Sequence, residues 1–370
     1  MPGRPPPRDA QNAIEYNSVV AAIKLTGNSK VLFNQRLDSQ QVTAIARALE
    51  GDEHVHTLDL SYNRIDDEGV KALAELVRKN GNIASIILSN NRVGDEGVGA
   101  LVDALEATGG AGLQQLVLSC NLHVTDDSIM RLADHLRGNE VLSMLDLGHT
   151  GMGLKGMMAL FAALHERPGA ATLEALRLDA PTFRGPSEHQ TRHLGNAIAA
   201  SRNLKELSLG TWQLSDGELR HLVRNAFVNV PGLMLLSLRS NKLSDMAGPV
   251  LAEMVGVLEG LEELDLSGNS LGDRAAVELC QALIDLGPRC VLWSLDLSTN
   301  CVNDLGLEAI AETIARCPSL QVVRVWGNRF GRAASETMAE VLDQLAEDGR
   351  ELDIDVRPYC VDGAWMVARE

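Results

Sequence analysis

The sequence predicts an α/β solenoid in which short parallel strands form an inner sheet and a helix follows each strand on the outside. Three observations predict it. A pattern of alternating apolar residues ending at an asparagine recurs along the chain. The step between recurrences is nearly constant. The composition is 45% hydrophobic but only 3% aromatic, so Leu, Val, Ile and Ala must fill the interior, as stacked and nearly identical layers require.

The pattern reads LDLSYNRI (58–65), IILSNNRV (86–93), LVLSCNLHV (116–124), LSLRSNKL (236–243), LDLSGNSL (264–271), LDLSTNCV (295–302) and VRVWGNRF (323–330). Its asparagines are Asn63, Asn91, Asn121, Asn241, Asn269, Asn300 and Asn328. Between Asn121 and Asn241 the phase passes through Thr150, Pro181 and Trp212. The steps along the series are 28, 30, 29, 31, 31, 29, 28, 31 and 28 residues. Alternate apolar residues face one way along a strand. The asparagine stands where the chain turns off the strand, and its amide can satisfy backbone groups of its own turn and of the next coil. Degenerate units at VLFNQRL (31–37) and LDIDV (352–356) extend the array.

Each strand is followed by a stretch of helical period. In DDEGVKALAELVRKNGN, Val70, Leu73, Leu76 and Val77 share one face. Asp66, Asp95, Asp126, Ser215, Ser244 and Asp273 stand before such helices and read as N-caps. One such unit cannot bury its own apolar face, so units stack. The expected organisation is a flexible arm over 1–10, an N-terminal capping helix over 11–30, the solenoid over 31–351 and a C-terminal cap over 352–370.

The repeat resembles the ribonuclease-inhibitor class of leucine-rich repeats over roughly residues 30–356. That resemblance implies a leucine-rich-repeat solenoid shaped as a horseshoe. The class includes ribonuclease inhibitors, activators of the Ran GTPase and several axonemal proteins. The tail DIDVRPYCVDGAWMVA (353–368) resembles the end of the leucine-rich-repeat-containing protein thirty-four family. This second resemblance implies a subunit of a motile cilium, bound to an axonemal complex such as a radial spoke.

The strand positions between the inward leucines form the candidate binding face. In the late units it gathers Glu263, Asp265 and Asp296 between Arg239 and Arg324, with Trp326 beside them. Arginine and an aromatic around a polar centre are the composition of interface anchors. A solvated sheet face with scattered charges is the competing reading. The three middle units lack the asparagine, and the Pro181–Pro186 stretch reads either as a docking loop or as drift of the repeat.

The net charge of −17 disfavours nucleic acid and anionic membrane surfaces and favours partners with basic or mixed surfaces. The six cysteines form no CxxC pair, no secretory pattern opens the chain and no long apolar run occurs. A reduced, cytoplasmic protein is expected. Three motifs compete for attention. Gly151-Met-Gly153-Leu-Lys-Gly156 spells a dinucleotide fingerprint, but it lies in phase with units that lack the glycines, and no acidic residue stands at the required distance. His189 and His193 are spaced as a helical pair without further ligands, and acidic pairs such as Asp95-Glu96 recur at helix starts, where capping accounts for them. No cofactor, metal or catalytic set is expected. The chain reads as a non-catalytic scaffold, monomeric on its own within a hetero-complex. Activation of a Ran-like GTPase is the alternative, weakened by the lack of a long acidic tail; ribonuclease inhibition is disfavoured by the low cysteine count.

Overall fold

A computed structural model describes residues 21–29, 35–109, 112–166, 172–183 and 185–369. It divides into two compact units, 1–183 and 184–370.

The first unit alternates strand and helix throughout. Its order is β1 (Ala22–Lys24), α1 (Ser39–Ala48), β2 (Thr57–Asp59), α2 (Asp67–Lys79), β3 (Ser85–Ile87), α3 (Asp95–Ala107), β4 (Gln115–Val117), α4 (Asp126–Leu136), β5 (Met144–Asp146), α5 (Leu154–Glu166) and β6 (Ala175–Arg177). Neighbouring strands pair in parallel, each with the next in sequence, from Thr57 opposite Ser85 to Asp146 opposite Arg177. The second unit repeats this plan with α6 (Glu188–Ala200), β7 (Glu206–Ser208), α7 (Asp216–Asn225), β8 (Leu235–Ser237), α8 (Gly248–Val257), β9 (Glu263–Asp265), α9 (Asp273–Leu286), β10 (Ser294–Asp296), α10 (Asp304–Arg316), β11 (Val322–Arg324), α11 (Arg332–Glu347) and β12 (Asp353–Ile354). It ends in an antiparallel hairpin of β13 (Val356–Val361) and β14 (Ala364–Arg369), which packs on α11. In both units the core lies between strands and helices, where Leu58, Leu60, Leu73, Leu264, Leu266 and Leu279 are buried.

The asparagines do what their position predicts. Asn300 Nδ2 donates to Leu266 O and Leu297 O, both at 3.0 Å, and its Oδ1 accepts from Leu271 N at 3.1 Å. Asn63, Asn91, Asn121, Asn241, Asn269 and Asn328 make the same three-way bridge. Where the asparagine is lost the phase survives on other means. Thr150 Oγ1 donates to Leu147 O at 2.8 Å, and Trp212 fills its layer at 1% exposure.

The residue before each of the ten ladder positions adopts the left-handed backbone conformation, from Tyr62 (φ 60°) through Thr211 (φ 60°) to Gly327 (φ 83°). Only Gly268 and Gly327 are glycines. The other eight positions hold side chains in a region that disfavours them.

Two expectations are corrected. Asp95, Asp126 and Asp273 are not N-caps; they are the first helical residues, and Gly94, Thr125 and Gly272 cap those helices. The freed carboxylates reach across to the start of the next helix. Asp95 Oδ1 accepts from Thr125 N (2.7 Å) and Ser128 Oγ (2.5 Å), Asp126 Oδ1 from Gly153 N (2.7 Å) and Gly156 N (2.8 Å), and Asp273 Oδ1 from Asn303 N (2.7 Å) and Gly306 N (3.1 Å). Asp66 and Ser215 do cap their helices, and Ser244 caps the short 3-10 turn Asp245–Ala247 that leads into α8. The second correction concerns the N-terminal capping helix over 11–30. Its described part, residues 21–29, holds strand β1 instead, and Asn63 Nδ2 donates to Leu25 O at 2.8 Å. Ala22, Ile23 and Leu25 suit either period, and pairing with β2 decides for strand. The arm over 1–10, residues 11–20 and most of VLFNQRL lie outside the described residues.

Two predictions follow from the ladders. Asn300→Ala leaves two buried carbonyls and one buried N–H unpaired and should cost about 3–5 kcal/mol, read as a lower denaturation midpoint. Thr211→Gly removes an exposed β-branched side chain from the left-handed region and should raise stability by about 0.5–1 kcal/mol in the same assay.

Candidate functional site

Because the inward leucines are consumed by the core, the alternate strand residues face away from it. In the second unit Ser237, Asp265, Asp296 and Arg324 stand in one row across β8 to β11, and Glu263, Ser294, Val322 and Asp353 in the row beside it. The structure therefore does gather most of the predicted set. Asp265 and Asp296 are in direct register. Glu263 is half-buried and Arg239 exposed, one and two strands away from Asp296 respectively.

The acids serve the backbone as well as the surface. Asp265 Oδ1 accepts from Ser267 N (2.9 Å) and Ser267 Oγ (2.6 Å), and its Oδ2 from Ser237 Oγ (3.1 Å). Asp296 Oδ1 accepts from Ser298 N at 2.8 Å. Burial pushes the Asp296 carboxyl above the ordinary carboxylate range, aided by the negative charges of Asp265 and Asp355 and opposed by the bonds from Ser298. Burial likewise raises Glu263, with Glu206 and Glu262 adding to it.

Arg324 does not simply bracket these acids. Its Nη2 donates to Asp353 Oδ2 at 2.6 Å and its Nη1 to Asp353 O at 2.8 Å, and this pairing holds Asp353 below the ordinary carboxylate range. Trp326 is half-buried, and its backbone N–H donates to Asp355 Oδ1 at 3.2 Å. Sequence reasoning missed Asp353, Asp355 and Arg369. With Asp296, Ser298 and Arg324 they line an open hollow of about 670 Å³. The signal was present in LDIDV, whose two aspartates repeat the alternation of the earlier strands: that stretch read as a degenerate unit opening the C-terminal cap, and its aspartates were not counted with the binding face.

The competing motifs resolve structurally. The N–H groups of Gly153 and Gly156, which a dinucleotide fingerprint would aim at a pyrophosphate, already hold the Asp126 carboxylate. A Cβ on Gly156 would stand 2.7 Å from Asp126 Oδ1, so close approach of this side chain explains the glycine. The imidazoles of His189 and His193 approach to 3.3 Å on the exposed face of α6. Among the described residues, no three or more His, Cys, Asp or Glu are grouped to hold a metal. Cys280 is buried, and its thiol is pushed up to about 12. In the Pro181–Pro186 stretch, Thr182 N and Oγ1 both donate to Met152 O, at 3.1 and 3.0 Å.

The family described as Leucine Rich repeat matches residues 51–74, 80–102, 261–280 and 290–311. The fold is a leucine-rich-repeat solenoid. The chain is 35% identical to human Protein NLRC5 over 135 residues, 36% of this chain and 7% of that protein. It is 29% identical to the ribonuclease inhibitor of Sus scrofa over 173 residues, 47% of this chain and 37% of the inhibitor. With the ribonuclease inhibitor of Mus musculus it shares 28% over 248 residues, 65% of this chain and 51% of that one. These relatives support a ribonuclease-inhibitor-like repeat. The crystal structure of the yeast Rad7 and Elc1 complex aligns with a TM-score of 0.57 at 18% identity, over 85% of this chain and 71% of that one. Leucine-rich-repeat proteins act as protein-binding scaffolds, and the fold is typically non-catalytic. Among the described residues, no helix is long and apolar enough to cross a membrane.

The raised Asp296 carboxyl fixes a pH dependence. A folded-state value above the unfolded one contributes stability that is present below the ordinary carboxylate range and lost as pH rises through the raised value. Asp296→Asn keeps an acceptor for Ser298 N and removes the charge. Its melting temperature should exceed the parent's at neutral pH, and the gap should close as pH falls toward about 4.

Proposed function

We propose that this leucine-rich-repeat protein is a docking subunit of a larger intracellular assembly, and that the face carrying Arg239, Glu263, Asp265, Asp296, Arg324 and Trp326 receives a partner with a basic or mixed surface. One observation carries the reading: half-buried carboxylates crowd in register across β9 and β10, where a partner's cationic groups would relieve their repulsion. Trp326 at the border of this patch supplies an anchor of the kind that dominates interface energetics.

The resemblance of residues 353–368 to the leucine-rich-repeat-containing protein thirty-four family supports a ciliary axoneme, such as a radial spoke, as the assembly. The repeat type it shares with Ran activators supports the other reading, acceleration of GTP hydrolysis by a small GTPase. Affinity capture of the tagged protein from ciliated cells, with mass spectrometry, separates the two: axonemal subunits favour docking, and a small GTPase with its regulators favours activation. The double variant Trp326→Ala, Asp296→Asn should reduce capture of the main partner by at least about tenfold while the melting curve stays cooperative. Undiminished capture would remove this face from consideration.

A further inference from the structure

In the first unit, Arg36, Arg64 and Arg92 recur at 28-residue steps on the rim where the chain leaves the inner sheet. Each is exposed. Backbone bonds fix the two steps: Arg64 N donates to Leu37 O and Arg92 N to Ile65 O, both at 2.9 Å. The three guanidinium stems therefore start about 5 Å apart, the spacing of adjacent strands.

Their pairing sets them apart. Arg78, Arg131 and Arg137 of the same unit are ion-paired, to Glu75, Asp103 and Glu166. Among the described residues, none of the three rim arginines makes an ion pair. The acids nearest in sequence are committed elsewhere. Asp38 Oδ1 accepts from Gln41 N at 2.9 Å, and Asp66 Oδ1 from Ser39 Oγ at 2.5 Å. In a chain of net charge −17, a row of three unpaired cations is a local reversal of sign.

The row borders a hollow of about 210 Å³ whose lining also includes Tyr62, Asn90 and Cys120. Tyr62 is held in the left-handed conformation (φ 60°) and is 41% exposed. At the next rim position in phase, directly after Asn121, Leu122 is 71% exposed. The patch thus offers cations in a line, an aromatic ring inside the line and an apolar side chain at its end.

We infer that this rim binds an extended acidic peptide segment whose carboxylates meet Arg36, Arg64 and Arg92 and whose apolar residue seats against Leu122. Guanidinium groups match carboxylates in a planar, two-bond geometry. A strand laid across the units carries side chains on one side every two residues, a spacing that long arginine side chains can span. A nucleic acid fits less well. The hollow is the size of a side chain, and the acidic body of the protein opposes a continuous phosphate backbone. The inference is independent of the face proposed in the second unit.

The test uses the full chain and fluorescence anisotropy of a short synthetic peptide that alternates Glu and Ser and ends in Leu. The comparison probes are its Glu→Gln counterpart and a uridine oligonucleotide. The Glu peptide should bind at least about tenfold more tightly than the Gln peptide, and the difference should shrink with added salt. Arg64→Glu with Arg92→Glu should weaken it by at least about tenfold, whereas Arg192→Glu on α6 should change it by less than about twofold. If the charge-reversed variant melts early, Arg64→Gln with Arg92→Gln takes its place with a smaller expected loss. Equal binding of the two peptides, binding indifferent to Arg64 and Arg92, or tighter arginine-dependent binding of the oligonucleotide would each overturn the inference.

Discussion

The structure depends on one repeated interaction, the three-way bridge of the ladder asparagine. A three-residue strand pairs with its neighbours and then stops, which leaves carbonyls at the turn facing the interior. Asn269 Nδ2 reaches Leu238 O and Leu266 O, each at 3.0 Å, and its Oδ1 takes Leu243 N at 3.2 Å. Each bridge therefore satisfies groups from two successive coils. Unpaired, those groups would each cost on the order of 1–3 kcal/mol. A side chain must be short, and must both donate twice and accept, to do this, and asparagine fits that description. Threonine does only part of it, as Thr150 shows.

The ladder is supported at the helix side by a second, less visible one. An aspartate at the first helical position bonds to the start of the following helix, as Asp304 Oδ1 does with Gly331 N at 2.7 Å. Glycines recur there because the carboxylate comes so close: a Cβ on Gly331 would meet Asp304 Oδ2 at 2.2 Å. One packing constraint thus accounts for both the acidic helix starts and the second and third glycines of the segment that mimics a nucleotide fingerprint, Gly153 and Gly156. The backbone strain stored at residues such as Ser240 and Thr299 is the local cost of turning sharply enough for the asparagine to reach its partners.

With these internal demands met, the outward strand residues are left to chemistry. The acids of the second unit illustrate how far they remain bound to the scaffold. Asp265 and Asp296 each hold the N–H two residues on, so their carboxylates are oriented rather than loose. A surface whose charges are fixed in place loses less entropy when a partner arrives.

The sequence by itself determined the repeat length, the inward leucines, the strand-then-helix order and the ladder asparagines. These are periodic and local, and each is repeated often enough to be read without coordinates. It also identified Glu263, Asp265 and Asp296 as neighbours, because equal phase places residues of successive units side by side. Tertiary structure alone decided which partner each side chain takes. Asp126 reaches Gly153 and Gly156, 27 and 30 residues on, and Arg324 turns to Asp353, 29 residues on. Residues 22–24 became a strand only because β2 offered an edge to pair with. Phase specifies which residues are adjacent, but adjacent side chains still choose among several acceptors, and burial and distance settle that choice.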